Sequence, residues 1–378
     1  MDPYTRHQMA WNILYSVCHP WICRKFNLTH EDLNIEGPVL LIPNHTCAWD
    51  PLLVAMSLRS KQVYFVASEH IFRLGFVSRL IEWAVAPIPR RKASSGVDTV
   101  KACLRHLKAG HSICLFAEGE QCWEGRSGVI FPATGKLAKS SGATLVTFRM
   151  EGGYLSLPRW GKSIRRGLMH GSPVGIYPPE QLRTMTPQAI NALIQHDIDE
   201  DAWERQKRGP VAFRGKRRAE GMEHALYLCP GCGRIGSLKT QDNRIFCDCG
   251  LDLRFTEYGL FSPGKPFRDI SEWDAWQRKE LHSRQEKALP GELLFSDAEM
   301  LLWNVTAGHQ ETLIAHGVLQ QYSDRLVCGE YAFPLNGICD MAQVLASRLL
   351  FTHDGQYYEL RAKEDINFRK YLEVWKGR

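Results

Sequence analysis

His45 and Asp50 are the pair of residues in this sequence whose types and spacing best suit catalysis. They directly follow the short apolar run 37–43, which is typical of a buried strand. A carboxylate bonded to one imidazole nitrogen fixes the tautomer and leaves the other nitrogen free to accept a proton. Asp50-Pro51 predicts a helix start with Asp50 as N-cap and His45 in the preceding turn. The pair therefore indicates a general base; the alternative is an aspartate that only caps the helix beside a polar loop histidine.

A second cluster is formed by four of the twelve cysteines, in the pattern C-x2-C-G followed by C-x-C-G. Cysteine pairs on glycine turns are typical of zinc knuckles, in which the thiolates converge on one tetrahedral ion. The second turn is one residue shorter than usual, and four thiolates leave no open ligand position. We therefore predict a structural zinc ribbon; a redox pair or a disulfide is the alternative. The predicted ligands are Cys229, Cys232, Cys247 and Cys249.

The elements that must position His45 and Asp50 alternate in type along the first half of the chain. Apolar runs predict strands at 37–43, 63–67, 111–117 and 144–149, and amphipathic runs predict helices from 50 and at 72–85, 97–109 and 135–140. This alternation predicts an α/β fold, a layered and mostly parallel sheet flanked by helices. One long helix is predicted from 186 to 206.

The second half of the chain has a different pattern. Alternating runs predict short antiparallel strands at 293–303, 311–318, 348–352 and 356–361, and a helix is predicted at 366–375. This arrangement resembles a small PH-like β-domain. We predict three domains: a catalytic domain at 1–222 with an N-terminal interfacial helix, the zinc ribbon at 223–262, and a β-rich C-terminal domain at 263–378 of unknown role.

Several motifs resemble those of the glycerolipid acyltransferase family, the lysophosphatidate and glycerol-3-phosphate acyltransferases. His45 and Asp50 match its His-x4-Asp motif, and the later motifs recur in the family's order over roughly residues 35–205. The matching segments are 84–90, which ends in Arg90, 116–121, which reads Phe-Ala-Glu-Gly-Glu-Gln, 131–138, and 143–147.

The resemblance implies an O-acyltransferase. His45 would act as general base on the acceptor hydroxyl, oriented by Asp50, and the hydroxyl would attack the thioester of acyl carrier protein (acyl-ACP) or coenzyme A (acyl-CoA). Backbone N–H groups would stabilise the oxyanion. Glu118 and Gly119 would hold the acceptor, and Arg90 would bind its phosphate; a solvated surface arginine is the alternative for Arg90.

The third motif departs from the family pattern in a way that concerns the acceptor. The family's Thr-Arg is replaced by Glu120-Gln121, which removes a cation and adds an acid. Either Arg126, Arg91 or Lys92 supplies the missing charge, or the acceptor is not a simple phosphomonoester.

A mechanism in which Cys47 is the nucleophile and His45 its base is a minor alternative, since residues two apart in sequence rarely face each other.

Composition limits the remaining choices. With 44% hydrophobic and 23% charged residues, the 378-residue chain has a globular composition, which excludes disordered and coiled-coil classes. No run approaches the roughly 20 apolar residues of a spanning helix, and no secretory signal is recognisable, so we expect a cytoplasmic protein. Peripheral contact with a membrane surface would suit two apolar segments, 9–21 and 72–85, for which core packing is the alternative. It would also suit two basic segments, 159–166 and 205–218, for which an ordinary solvated face is the alternative.

Together these features predict transfer of a fatty acyl group to a lysophospholipid, most simply conversion of lysophosphatidate to phosphatidate. A first rival is an acyltransferase for a lysophospholipid that carries a head group. A second is an inactive, nucleic-acid-binding zinc-ribbon protein, although the intact His45 and Asp50 argue against a nucleic-acid partner. A third is a hydrolase that uses water in place of the lipid hydroxyl.

Overall fold

The computed structural model describes residues 2–59, 61–73, 75–93, 96–306, 310–344, 347–364 and 366–378. The chain forms two compact units. The first comprises residues 1–91, 96–216 and 257–259, and the second comprises residues 92–95, 217–256 and 260–378.

The first unit is built on one seven-stranded sheet. Its strands are β1 (Leu28–His30), β2 (Val39–Pro43), β3 (Val63–Ser68), β4 (Ile88–Arg90), β5 (Ser112–Cys114), β6 (Thr144–Glu151) and β7 (Met169–Tyr177), in the order β1-β7-β6-β2-β5-β3-β4. The helices are α1 (Pro3–Phe26), α2 (Asp50–Ala55), α3 (Phe76–Val85), α4 (Val97–Lys108), α5 (Ala133–Ser141), α6 (Gly153–Ser156), α7 (Pro179–Thr184), α8 (Pro187–Ile198) and α9 (Ala202–Arg208).

The central strand β2 explains why helices cover both faces of this sheet. All five of its residues are buried, and successive side chains point to opposite faces. Leu41 packs into a core with residues of α1 and α2, whereas Leu40 packs into a separate core with residues of α4, α5 and α8. The result is a sheet with helices on both faces.

Strands β6, β2, β5, β3 and β4 are mutually parallel, so their carboxyl ends lie along one edge of the sheet. The predicted α/β fold with a parallel-rich sheet is confirmed. Three strands were not predicted: β7 pairs antiparallel with β6, the short β1 pairs parallel with β7, and the short β4 pairs parallel with β3.

The predicted extent of one helix in this unit is wrong. The helix expected from 186 to 206 is divided into α8 and α9, because the Asp201 side chain accepts the N–H groups of Trp203 and Glu204 and starts a new helix. The basic segment 205–218 is partly packed into the unit, since Phe213 is buried and Arg205 forms a bidentate ion pair with Glu200.

The second unit contains two antiparallel sheets. The smaller has four strands, β8 (Lys239–Gln241), β9 (Arg244–Phe246), β10 (Asp252–Phe255) and β11 (Phe261–Ser262). The larger has seven strands, β12 (Leu293–Val305), β13 (Glu311–Tyr322), β14 (Arg325–Cys328), β15 (Tyr331–Pro334), β16 (Ile338–Val344), β17 (Arg348–His353) and β18 (Gln356–Ala362).

Two helices complete this unit, α10 (Ile270–Lys287) and α11 (Arg369–Lys376). Leu281 of α10 and Tyr371, Leu372 and Val374 of α11 are buried in one core with the inward side chains of the seven-stranded sheet. The predicted antiparallel β-rich C-terminal region with a terminal helix is therefore present. Strands β12 and β13 are longer than predicted, at 13 and 12 residues.

Candidate active site and candidate metal centre

The candidate active site begins at the carboxyl end of β2, where Asn44 holds the turn that carries His45. The buried Asn44 side chain donates to the carbonyl of Met150 (3.0 Å) and accepts the Met150 N–H (2.7 Å). These two bonds tie the turn to the neighbouring strand β6. Asn44 was not singled out from the sequence, where an asparagine after a strand indicates only a turn.

His45 and Asp50 face each other across this turn. Nδ1 of His45 lies 2.9 Å from Oδ2 of Asp50, and the Asp50 side chain is completely buried. Because a carboxylate oxygen only accepts, Nδ1 carries the hydrogen and Nε2 has its lone pair free. The His45 ring also stacks on Phe116, with ring centroids 4.3 Å apart. This geometry suits a general base whose tautomer and orientation are fixed.

Asp50 organises the turn as well as the histidine. The Asp50 carboxylate accepts the backbone N–H groups of Thr46 and Cys47, the latter at 2.8 Å, and the Thr46 hydroxyl at 3.0 Å. The prediction that Asp50 caps α2 is wrong: α2 begins at Asp50 itself, and the capping residue is Trp49, which makes no side-chain cap bond. The carboxylate is directed back to the turn, because its donors lie upstream.

Glu118 supports the same turn from the segment after β5. Its Oε1 accepts the backbone N–H of His45 at 2.7 Å, and its Oε2 accepts the N–H of Gly128. Burial raises the pKa of Glu118 to about 8, although these two hydrogen bonds favour the charged form. Both oxygens are thus engaged inside the protein, and Glu118 positions His45. Direct contact between Glu118 and an acceptor stays a prediction.

Gly119 and Arg90 are brought together by Phe131, whose role was not predicted from its place in the 131–138 motif. The Arg90 guanidinium lies 4.4 Å from the centroid of the Phe131 ring. Gly119 has φ +77°, and a Cβ at this position would lie 2.3 Å from the same ring. The glycine is therefore required both by its backbone conformation and by the ring against it.

We expect Gly119→Ala to lower the free energy of unfolding by more than the roughly 1–3 kcal/mol typical of a strained backbone position, because its Cβ must also displace Phe131. The measurement is denaturant unfolding. Gly110→Ala is the matched control, since Gly110 has φ +83° but nothing within 4 Å of its Cβ position. Equal losses in the two variants would show that the ring contact is unimportant.

Glu120, which replaces the threonine of the family's third motif, pairs with an arginine that was not predicted from the sequence as its partner. Arg159 donates to the Glu120 carboxylate at 2.7 Å, and its guanidinium lies 4.1 Å from the centroid of Trp123. The backbone N–H of Cys122 donates to the carbonyl of His45 at 3.1 Å, so this segment lies beside the base. The acid in the altered motif is thus neutralised by Arg159.

Two arginines proposed from the sequence as replacement cations are already paired with acids. Arg126 lies 3.0 Å from the Asp201 carboxylate, and Arg91 lies 3.8 Å from that of Glu69.

Cys47 is buried, and its thiol donates to Asp50 at 3.2 Å. Burial raises the pKa of Cys47 well above its usual range, which disfavours the thiolate that a nucleophile requires.

The four clustered cysteines of the second unit converge. Sγ of Cys229 lies 3.6 Å from Sγ of Cys249, Sγ of Cys232 lies 3.8 Å from Sγ of Cys247, and all four sulfurs lie within 4.8 Å of one another. A zinc–sulfur distance of about 2.3 Å corresponds to a tetrahedral sulfur–sulfur edge of about 3.8 Å. The donor set and its spacing therefore fit a zinc ion.

The two cysteine turns have the backbone of knuckles. The N–H of Gly233 donates to the carbonyl of Cys229 at 2.9 Å, and the N–H of Gly250 donates to that of Cys247 at 3.0 Å. Both glycines have positive φ, +69° and +100°. The second turn closes despite being one residue shorter, because Gly250 adopts a backbone conformation that other residues rarely allow.

Three comparisons relate this chain to known proteins. Residues 25–151, nearly all of them in the first unit, match the family model described as Acyltransferase. Over 154 residues the chain is 29% identical to the 1-acyl-sn-glycerol-3-phosphate acyltransferase LPAT1, chloroplastic, of Arabidopsis thaliana, and the match covers 37% of this chain and 41% of that protein. The chain thus spans about two fifths of the length of this relative. The crystal structure of the acyltransferase PlsC from Thermotoga maritima superposes with a TM-score of 0.39 at 13% identity, covering 50% of this chain and 76% of that one.

Proposed function

We propose that this protein, whose residues 25–151 match the Acyltransferase family model, transfers a fatty acyl group from a thioester to a lysophospholipid hydroxyl. The observation that carries the proposal is the contact between His45 Nδ1 and the buried Asp50 carboxylate at the carboxyl edge of the sheet. The acceptor proposed first is lysophosphatidate, and the donor is acyl-ACP or acyl-CoA.

In this mechanism Nε2 of His45 removes the proton from the acceptor hydroxyl as its oxygen attacks the thioester carbonyl. The Asp50 carboxylate stabilises the imidazolium that forms. Collapse of the tetrahedral intermediate breaks the carbon–sulfur bond, and the proton on His45 passes to the leaving thiolate. Glu118 acts as a positioning residue, because it holds the backbone N–H of His45.

The acceptor's phosphate is assigned to Arg90, whose guanidinium is held against Phe131 at the carboxyl end of β4. A planar guanidinium presents paired donors to phosphate oxygens. This assignment and the acceptor-holding role of Gly119 rest on the family resemblance, with their proximity through Phe131 in support.

A second candidate acceptor is a lysophospholipid with a cationic head group. The observation that favours it is the acidic Glu120 in place of the family's threonine, beside the aromatic Trp123 and paired with Arg159. Arg159 already pairs with this carboxylate and lies over the Trp123 ring, so an ammonium group would replace the arginine there and free its guanidinium for the neighbouring phosphodiester.

The experiment that tests both candidates measures thiol release from acyl-CoA and acyl-ACP with the purified protein. Lysophosphatidate, lysophosphatidylethanolamine or no acceptor is supplied in vesicles of otherwise equal composition. We expect release that requires an acceptor. Release without acceptor would indicate a hydrolase, and no release with any donor and acceptor would overturn the proposed function.

We also propose that the protein reaches its acceptor through an apolar face formed by α1 and α3. Arg6 of α1 donates to the carbonyl of Trp83 in α3 at 3.2 Å, so the two helices are joined. The described residues include no helix with the length and apolar character needed to span a bilayer. The apolar face consists of the exposed side chains of Met9, Ile13, Val17, Trp21, Phe76, Leu80 and Trp83.

The spacing of these residues supports interfacial contact. Those of α1 recur every four residues and form one stripe, and Arg24 and Lys25 follow in its last turn. An exposed apolar stripe with adjacent cations is typical of a helix that lies at a lipid surface. The proposed occupant of the face is a membrane that contains anionic lipid.

We expect Phe76→Asp to reduce binding to anionic vesicles by roughly 10–100-fold, because burying a phenylalanine side chain contributes about 1.5–3 kcal/mol. Phe76 is 78% exposed, so its replacement should leave folding intact. Vesicle co-sedimentation is the measurement. Leu289→Asp is the matched control, since Leu289 is 73% exposed in the second unit. Unchanged binding of Phe76→Asp would contradict a lipid-facing role.

For the second unit we propose a structural zinc ion held by Cys229, Cys232, Cys247 and Cys249. With four thiolates the ion has no position for substrate, so its contribution is to fold the region around the two knuckles.

A further inference from the structure

Three metal-binding side chains outside the sites described above converge where α1 meets β1. His19 and Cys23 lie one turn apart on α1, so their side chains share one face of the helix. His30 comes from β1. Asn27, in the left-handed conformation (φ 50°), ends α1 and directs the chain into that strand. The turn thereby brings a strand residue back to the helix face.

The three ligand atoms are close enough to share one ion. Nε2 of His19 lies 2.8 Å from Nε2 of His30, and Sγ of Cys23 lies 3.7 Å from Nε2 of His19. One ligand atom from each of the three residues lies within 4.8 Å of the other two, and all three residues are half-buried. Two imidazoles and a thiolate form a donor set that suits zinc.

Neighbouring side chains orient both histidines. Nδ1 of His30 lies 3.4 Å from the Asp32 carboxylate. The Tyr15 ring stacks on His19 with centroids 4.9 Å apart. A histidine that binds metal through one nitrogen commonly directs the other toward a carboxylate. Asp32 occupies that position for His30.

We propose that His19, Cys23 and His30 form a zinc site that joins α1 to the edge of the sheet. A cavity of about 490 Å³ borders it, so a fourth position is open to water or another small ligand. Both histidines and Asp32 line this cavity. Since α1 carries the apolar face, the ion would fix the helix that meets the lipid surface. The site itself does not depend on acyl transfer.

Binding requires a defined exchange of protons. Without metal, the 2.8 Å contact between the two Nε2 atoms is a hydrogen bond in which one ring donates and the other accepts. On binding, the donor ring moves its proton to Nδ1, the Cys23 thiol releases its proton to solvent, and both Nε2 lone pairs bind the ion. The nitrogen–nitrogen distance should widen to about 3.4 Å, the tetrahedral edge for a zinc–nitrogen distance of about 2.0–2.1 Å.

The test is zinc content and affinity of the purified full chain, measured by elemental analysis after dialysis and by competition with a chromophoric chelator. We expect two equivalents in the unsubstituted protein, one in His30→Ala and one in Cys232→Ser. Cys23→Ser should weaken the N-terminal site by at least about tenfold, the lower bound seen even for outer-shell changes. Zinc should also slow amide hydrogen exchange in α1.

His170→Ala is the matched control, because His170 pairs with Thr29 on the neighbouring strand and is not a member of the cluster. It should retain both equivalents. The proposal is overturned if His30→Ala binds as much zinc as the unsubstituted protein. It is equally overturned if all zinc is lost on Cys232→Ser, which would leave His19 and His30 as a hydrogen-bonded pair. Thiol-release activity is a separate readout, so failure of this site is distinguishable from failure of the proposed function.

Discussion

Replacing His45 by alanine should lower kcat for acyl transfer by roughly 10²–10⁴-fold, the usual contribution of general base catalysis. The loss should appear in kcat more than in KM, because the imidazole acts on the hydroxyl proton in the transition state. Thiol release in the presence of lysophosphatidate vesicles is the measurement. His196→Ala is the matched control: His196 has a side chain 87% exposed and belongs to α8 of the same unit.

Asp50→Asn separates charge from geometry at the same site. An asparagine with its oxygen in the place of Oδ2 can still accept from His45 and from the N–H groups of Thr46 and Cys47. Its NH₂ group would then face the Thr46 hydroxyl, which can rotate to accept. We therefore expect kcat to fall by at least about 10²-fold while thermal stability changes little. Full activity in Asp50→Asn would show that Asp50 only holds the turn.

Cys232→Ser should remove one equivalent of zinc and unfold the region around the two knuckles. Structural zinc contributes roughly 10–16 kcal/mol in small zinc-finger peptides, so loss of the ion outweighs any single packing change. Cys232 is exposed, so the serine itself creates no buried unpaired group. The measurements are metal content and thermal unfolding followed by circular dichroism, and a chelator should reproduce the effect on the unsubstituted protein.

Cys339→Ser is the control for that experiment, because Cys339 is an exposed cysteine of the same unit outside the cluster. It should change neither zinc content nor unfolding temperature. If the chelator has no effect but a reducing agent destabilises the protein, the four cysteines form a disulfide or redox site and the zinc proposal fails.

The parts of the fold that could be predicted from sequence are those set by local patterns. The buried strand β2 is a continuous apolar run, and helix α4 has apolar residues at helical spacing and is followed by Gly110. The cysteine spacing likewise predicts converging knuckles without knowledge of the rest of the chain. In these segments hydrophobic periodicity and turn chemistry point to the same answer.

Other features depend on contacts between distant residues. Strand β7 contains Gly171, Pro173 and Gly175, which weaken any strand pattern, and it forms because it pairs with β6. The partner of Glu120 is Arg159, 39 residues away, and nothing in either local sequence indicates the pair. Similarly, Asn44 acquires its role through Met150, 106 residues along the chain. Such roles follow from the order of strands in the sheet.

That strand order places the residues of the candidate active site on separate segments of the chain, each at the end of a different strand. His45 follows β2, the segment with Glu118 and Glu120 follows β5, and Arg90 ends β4, while the hydrogen-bonded strands of the sheet provide a rigid frame. A substitution at Glu120 can therefore change the surroundings of Arg159 and Trp123 while Glu118 still accepts the backbone N–H of His45. The replacement of the family's Thr-Arg by Glu120-Gln121 is a change of this kind, because it leaves His45, Asp50 and Glu118 in place.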